Sequence, residues 1–173
     1  MLRLYDNLNR KKQSIEPDPD GAGPQLSPTT TFNYDAIGNA TSLVDPLGNT
    51  TSWVHDTLGR TTSETDPLNK TRSWIYDAAR RITSTTDRLS RKIENTYDNL
   101  DNKLTEIWKT GSTTNRTMTL TYDVLGNMLS STDLTSTQSF TYDPLSRVTK
   151  RRSTMVRPLR ISDCNIVLTR LVI

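Results

Sequence analysis

The sequence predicts an all-β chain, a repeat array of antiparallel β-hairpins forming a curved strip. Three observations predict it. A tyrosine-centred unit recurs every 21 residues: Tyr34, His55, Tyr76 and Tyr97 hold one place, and Asp45, Asp66 and Asp87 keep the same step. Such fixed-period self-similarity marks repeat architectures. Each unit also carries two turn signals, as in Tyr34-Asp35-Ala36-Ile37-Gly38-Asn39 and Asp45-Pro46-Leu47-Gly48-Asn49. Between the turns lie Thr, Ser, Val, Ile, Trp and Tyr, most of them good strand formers.

Residues 1–30 hold a partial repeat and a loop. Met1-Leu2-Arg3-Leu4 leads into Tyr5-Asp6-Asn7-Leu8-Asn9-Arg10, a copy 29 residues before Tyr34. The surplus length is the segment Pro17-Asp18-Pro19-Asp20-Gly21-Ala22-Gly23-Pro24, a composition suited to a loop. Residues 31–150 are the array itself. Tyr122 follows Tyr97 by 25 residues, which places an insertion of four around Lys109-Thr110-Gly111-Ser112, and Tyr142 follows by 20. In the tyrosine-led turns the fifth position is Gly38, Gly59 and Gly126, with Asn9 and Asp101 elsewhere. These residues tolerate positive φ best, so a left-handed backbone is predicted there. Arg80 and Ser146 depart from the pattern, which predicts strain or another turn type. Asp at position two (Asp35, Asp77, Asp98, Asp123, Asp143) suits a bond to its own backbone two residues on, and Pro46 and Pro67 preset φ for the second turn.

Alternation before each turn puts Phe32 with Tyr34 on one face, and likewise Trp53 with His55, Trp74 with Tyr76, Leu120 with Tyr122, and Phe140 with Tyr142. This predicts an aromatic ladder whose cross-strand pairs contribute roughly 0.2–1 kcal/mol each. Asn95 interrupts it before Tyr97. Leu47, Leu58, Leu68, Leu89, Leu100, Leu125 and Leu145 recur within the turns, and this regularity reads as the contact between successive hairpins.

Residues 151–173 leave the repeat and form a basic tail. Three readings of it are open: the start of a variable C-terminal domain, a cap, or a truncated or frame-shifted end without selected structure. From Lys150 onward there are six basic residues and one acid, which leaves 16 basic and 18 acidic residues for the rest. The pI of about 9.1 therefore belongs to the tail, and the array lacks the positive footprint of a nucleic-acid binder.

With 173 residues, 32% hydrophobic, and a mean hydropathy of −0.63, an ordinary compact core is not expected; a thin sheet with one aromatic face is. The single cysteine, Cys164, precludes an internal disulfide. Neither an apolar leader nor an apolar run of about 18 residues is present. A start this close to a repeat is what a piece of a longer protein, or a product exported by other machinery, would show.

The turn sequences resemble the YD repeats of Rhs-family proteins. Tyr34-Asp35-Ala36-Ile37-Gly38-Asn39 and Tyr122-Asp123-Val124-Leu125-Gly126-Asn127 are similar to the family pattern, and His55-Asp56-Thr57-Leu58-Gly59-Arg60 differs by His for Tyr. The resemblance runs from Tyr5 to about Lys150. It implies a β-hairpin strip that spirals into a hollow YD-repeat shell, as in polymorphic toxins, insecticidal toxin complexes and teneurins. The implied function is structural: a shell segment that encloses or delivers a C-terminal toxin effector. The alternative is a cell-surface repeat module for adhesion or carbohydrate binding. Partners implied are a C-terminal toxin polypeptide, flanking repeats of a longer chain, or cell-surface glycans. The implied location is secreted or at the cell surface.

No catalytic, cofactor-binding or metal-binding residue is assigned, no cofactor is expected, and the chain is read as not an enzyme. His55, the one histidine, occupies a tyrosine place in the ladder and reads as a substituted packing residue. The aspartates fall at turn positions, where their backbone bonds explain them better than metal binding does. Trp53 and Trp74 read as packing before sugar stacking. The sequons at Asn39, Asn49 and Asn69 arise from the turn chemistry itself; a fourth begins at Asn115.

Overall fold

The computed structural model describes residues 1–21, 23 and 26–155, and these contain fourteen strands. They are β1 (Leu2–Tyr5), β2 (Lys11–Ile15), β3 (Thr29–Tyr34), β4 (Ala40–Val44), β5 (Thr50–His55), β6 (Thr61–Thr65) and β7 (Thr71–Tyr76). There follow β8 (Ile82–Thr86), β9 (Arg91–Tyr97), β10 (Lys103–Thr110), β11 (Thr113–Tyr122), β12 (Met128–Thr132), β13 (Ser136–Tyr142) and β14 (Val148–Met155). In the sheet they follow one another in sequence order. Two compact units are distinguished: Met1–Glu94 with Lys109–Thr113, and Asn95–Trp108 with Thr114–Ile173. The tail readings for residues 156–173 lie outside the described residues, whereas Arg151–Met155 complete β14.

Each turn is built by its aspartate. In Asp35–Asn39 the Asp35 N–H donates to the Asn39 carbonyl at 2.9 Å, and the Gly38 N–H donates to the Asp35 carbonyl at 3.3 Å. The Asp35 carboxylate accepts from the N–H groups of Ile37 (3.0 Å) and Asn39 (2.8 Å), and from the Asn39 side-chain amide. The four backbone and carboxylate bonds recur at Asp45–Asn49, Asp56–Arg60 and Asp66–Lys70. In the tyrosine-led turns the strand register slips by one residue just before the aspartate, as between Asn33 and Tyr34. This is a hairpin turn followed by a bulge whose key residue is left-handed. That residue has φ 99° at Gly38 and 74° at Gly59. Arg80 (68°) and Ser146 (59°) adopt the same conformation without glycine's freedom, so their turns are of the same kind and carry the strain.

The insertion of four forms no loop. It lengthens β10 and β11 to 8 and 10 residues around a tight turn at Gly111, where φ is 58°. After β2 the Glu16 N–H donates to the Pro28 carbonyl at 2.9 Å, just before β3 begins.

In the first unit, the cross-strand rows Phe32–Leu43–Thr51, Trp53–Glu64–Arg72 and Trp74–Thr85–Ile93 lie on one face. The other face is rich in hydroxyls: Asn33–Ser42–Ser52–Thr65 and Val54–Ser63–Ser73–Thr86. In the second unit, Leu120 and Tyr122 are half-buried around an exposed Thr121, and Phe140 and Tyr142 around an exposed Thr141. No hydrophobic side chain is fully buried among the described residues, and the buried ones are Ser14 and Ser84. In both units the ladder aromatics, among them Trp53, Trp74 and Phe140, are half-buried.

One expectation is overturned. The turn leucines do not join successive hairpins: they are exposed, from 61% at Leu58 to 87% at Leu47. The reason is local. At the third position of the Asp-led turn the leucine N–H is held by the aspartate, and its side chain projects beyond the hairpin tip.

Candidate functional site: a stapled aromatic and ionic face

At two places in the first unit, arginine and tyrosine join one copy of the repeat to the next. Arg60 closes the Asp56 turn through an ion pair at 2.6 Å. Its guanidinium also lies 4.5 Å from the centre of the Tyr76 ring, in the next copy, and donates to the Asp77 carbonyl at 3.2 Å. The Tyr76 hydroxyl in turn donates to the Thr61 carbonyl at 2.8 Å. The same staple forms two copies earlier. Arg10 lies 4.7 Å from the Tyr34 ring centre and donates to the Asp35 carbonyl at 3.0 Å, while the Tyr34 hydroxyl donates to the Lys11 carbonyl at 2.9 Å. In the second unit the Tyr142 hydroxyl reaches the Met128 carbonyl at 2.8 Å. These three tyrosine hydroxyls thus find the carbonyl five residues after Asp6, Asp56 and Asp123, the aspartates of the preceding copies. The tyrosine combines a ring for a cation with a polar tip that finds a partner.

Between Trp53 and Trp74 lies an ionic cluster. The Glu64 carboxylate, 14% exposed, accepts from the Trp53 indole at 3.2 Å, from Arg72 at 2.7 Å, and from Arg88. Arg88 also pairs with Asp66 at 3.0 Å. The Arg72 bond, followed by the Trp53 and Arg88 contacts, holds the Glu64 carboxyl below its ordinary range against the opposing effect of burial. Arg72 lies 5.0 Å from the Trp74 ring centre, so it covers a ring face that sugar stacking would use. A smaller cluster in the same unit joins Glu94 to Lys109 and Lys92; hydrogen bonds from the two ammonium groups lower the Glu94 pKa to about 2.

His55 sits half-buried at its ladder position, and its Nδ1 is buried without a hydrogen-bond partner. Nothing in this geometry gives it an acid or base role. Among the described residues no group of three or more His, Cys, Asp or Glu side chains could hold a metal ion. The amides of Asn39 and Asn49, two of the sequon residues, are bonded to Asp35 and Asp45. Trp108 is 44% exposed, with its indole N–H on Glu106 at 2.7 Å. Among the described residues no helix is long and apolar enough to cross a membrane, which leaves β-barrels unaddressed.

The RHS repeat family matches residues 34–68 and 55–92, the span that contains the Arg60–Tyr76 staple and the Glu64 cluster. No curated protein matches the chain. Among solved structures, the chain is similar to TcdB2-TccC3, with a TM-score of 0.63 and 16% identity over 83% of this chain and 9% of that one. TcdB2-TccC3 without its hypervariable C-terminal region gives a TM-score of 0.62 at 16% identity, covering 83% of this chain and 8% of that one. A mutant Tc holotoxin pore of Photorhabdus luminescens gives 0.60 at 18% identity, over 72% and 7%. At these identities the likeness is one of fold, and this chain spans under a tenth of the length of those structures. Residues 34–92 match the RHS repeat, and the chain around them shares its fold with these toxin-complex structures.

Proposed function

We propose that this chain is a wall segment of a longer Rhs-type protein, whose repeats enclose or deliver a toxin polypeptide placed C-terminal to them. The observation that carries the reading is the staple: Arg, Tyr and Asp of successive turns are consumed in joining one hairpin to the next. The repeat's recurring side chains are thereby committed to a continuous wall. The fold likeness to TcdB2-TccC3 supports the same reading. A secreted or extracellular location follows from it, and the immediate partners are flanking repeats and the enclosed polypeptide. On the aromatic face, the Trp74 ring is engaged by Arg72 and the Trp53 indole by Glu64, which makes glycan adhesion the weaker account. Limited proteolysis of the natural full-length product tests the enclosure. The polypeptide after the repeats is expected to resist protease while the repeats are folded, and to be cut once they are unfolded. Equal cutting rates in the two states overturn enclosure.

A further inference from the structure

In the second unit, β13 and β14 build a cationic recess on the face that carries hydroxyls. Arg152 stands directly opposite Ser139, and Lys150 directly opposite Thr141. Directly opposed side chains of an antiparallel pair share a face, with Cβ atoms about 5 Å apart. Lys150 and Arg152 are next-but-one neighbours on β14, about 7 Å apart at ordinary strand rise. The four side chains frame a recess of about 240 Å³. Arg151, between the two cations, serves the opposite face. It lies 5.9 Å from the Phe140 ring centre and donates to the Gln138 side-chain oxygen at 3.1 Å.

Charge sets this recess apart. Arg60, Arg72, Arg88, Arg116 and Arg147 each face a carboxylate. Among the described residues Lys150 and Arg152 face none. The rows that run across this face, Thr121–Ser130–Ser139–Arg152 and Thr119–Thr132–Thr137–Thr154, carry hydroxyls and no acid. The Ser139 hydroxyl is not engaged by another group among the described residues. The Thr141 and Thr149 hydroxyls share one hydrogen bond at 2.8 Å, which leaves a proton of the pair to donate. Ammonium and guanidinium groups donate and cannot accept. The recess therefore offers positive charge and donors, and its complement is a small anion whose oxygens all accept.

We propose that Lys150, Arg152, Ser139 and Thr141 form a binding site for a tetrahedral oxyanion, a phosphate or sulfate group. The planar fork of Arg152 takes two oxygens, and Lys150 acts as a point charge on a third. The hydroxyls of Ser139 and Thr141 donate from the β13 side. A carboxylate fits less well, because the arginine fork alone fills its two oxygens. The proposal goes beyond the wall-segment reading and is independent of it. A further strand paired with β14 would use the backbone at its edge, whereas the recess lies on its face.

Titration of the full chain with sodium phosphate at constant ionic strength, followed by amide NMR, tests it; sodium chloride is the reference salt. Phosphate is expected to give saturable shifts centred on Ser139, Thr141, Lys150 and Arg152 that chloride does not give. Lys150→Gln/Arg152→Gln is expected to weaken binding by about tenfold or more. Ser139→Ala, which keeps both charges, is expected to weaken it several-fold. The same spectra report whether each variant is folded. The control Arg3→Gln/Lys12→Gln removes equal charge from exposed positions in the first unit and is expected to bind like the unaltered chain. Glucose 6-phosphate separates the sources of the group: tighter binding than phosphate assigns it to a sugar ester, and equal binding to the free ion. Shifts that chloride reproduces, or that do not saturate, overturn the proposal. So does a folded Lys150→Gln/Arg152→Gln or Ser139→Ala variant that binds as well as the unaltered chain, or a control that loses binding equally.

Discussion

His55 is the residue at which the repeat is visibly incomplete. Where Tyr76 spans from its ring position to the Thr61 carbonyl, the imidazole leaves its buried Nδ1 without a partner. The repeat rule places the matching acceptor at Ala40, five residues after Asp35. His55→Tyr is expected to add that hydrogen bond and stabilise the fold by about 1 kcal/mol. A urea midpoint that stays put or falls would show that the hydroxyl has no acceptor there. Arg80 offers a second test at this scale. It is exposed and held at φ 68°, a conformation that disfavours a residue with a Cβ by about 1–2 kcal/mol. Arg80→Gly should recover about 1 kcal/mol, offset in part by the greater freedom of glycine in the unfolded chain. A lower thermal midpoint for the variant would place the strain elsewhere. Trp74 is half-buried, so Trp74→Ala is expected to cost less than removal of a fully enclosed ring, about 1–2 kcal/mol.

At the scale of the hairpin, the aspartate turns make folding sensitive to acid. The Asn49 side chain holds the Asp45 carboxyl below its ordinary value, and Arg91 does the same for Asp87. Backbone bonds at Arg10 and Arg147 lead the lowering at Asp6 and Asp143. A carboxyl lowered in the folded state contributes stability that is complete above its unfolded pKa and is lost as pH falls through the folded value. The denaturation midpoint is therefore expected to be flat from pH 7 to about 5 and to fall below about 4, with Glu94 titrating near 2. A midpoint that rises on acidification would contradict the clamp. The turns were legible in the sequence because Asp, Gly and Pro act within four residues of themselves. The staple was not, because its arginine and tyrosine belong to different copies. Its signal was present: Arg60 ends one turn and Tyr76 opens the next, as Arg10 and Tyr34 do. The leucines misled for a related reason. Regular recurrence shows that a position is constrained, but it does not show which way the side chain points. Arg60→Lys isolates the staple, since an ammonium lacks the planar group that spans ring, carboxylate and carbonyl at once. It is expected to cost about 1 kcal/mol in a urea titration; no cost would reassign the contact to the sheet hydrogen bonds alone.

For the molecule as a whole, the absence of a buried hydrophobic side chain among the described residues moves stability from a core to the interfaces between neighbours. In such arrays stability is approximately a sum of unit and nearest-neighbour terms. The period then becomes a structural quantity that deletion can test. Removing residues 56–76 joins His55 to Asp77, so a YD turn still follows a ladder residue and every later hairpin keeps its edge. This 21-residue deletion is expected to leave a β-sheet spectrum and a cooperative transition at a lower midpoint. Removing residues 56–65 instead joins His55 to Asp66 and leaves an odd number of strands. Every later turn then changes edge relative to the earlier ones, and Tyr76 loses Arg60 and Thr61. Since register and face are coupled along a sheet, this shorter deletion is expected to do more damage than the longer one, giving an aggregated or unfolded chain. Circular dichroism with thermal melts of the two deletions decides the matter. If the 10-residue deletion melts at or above the 21-residue one, the full repeat is not the unit in which this sheet is stabilised.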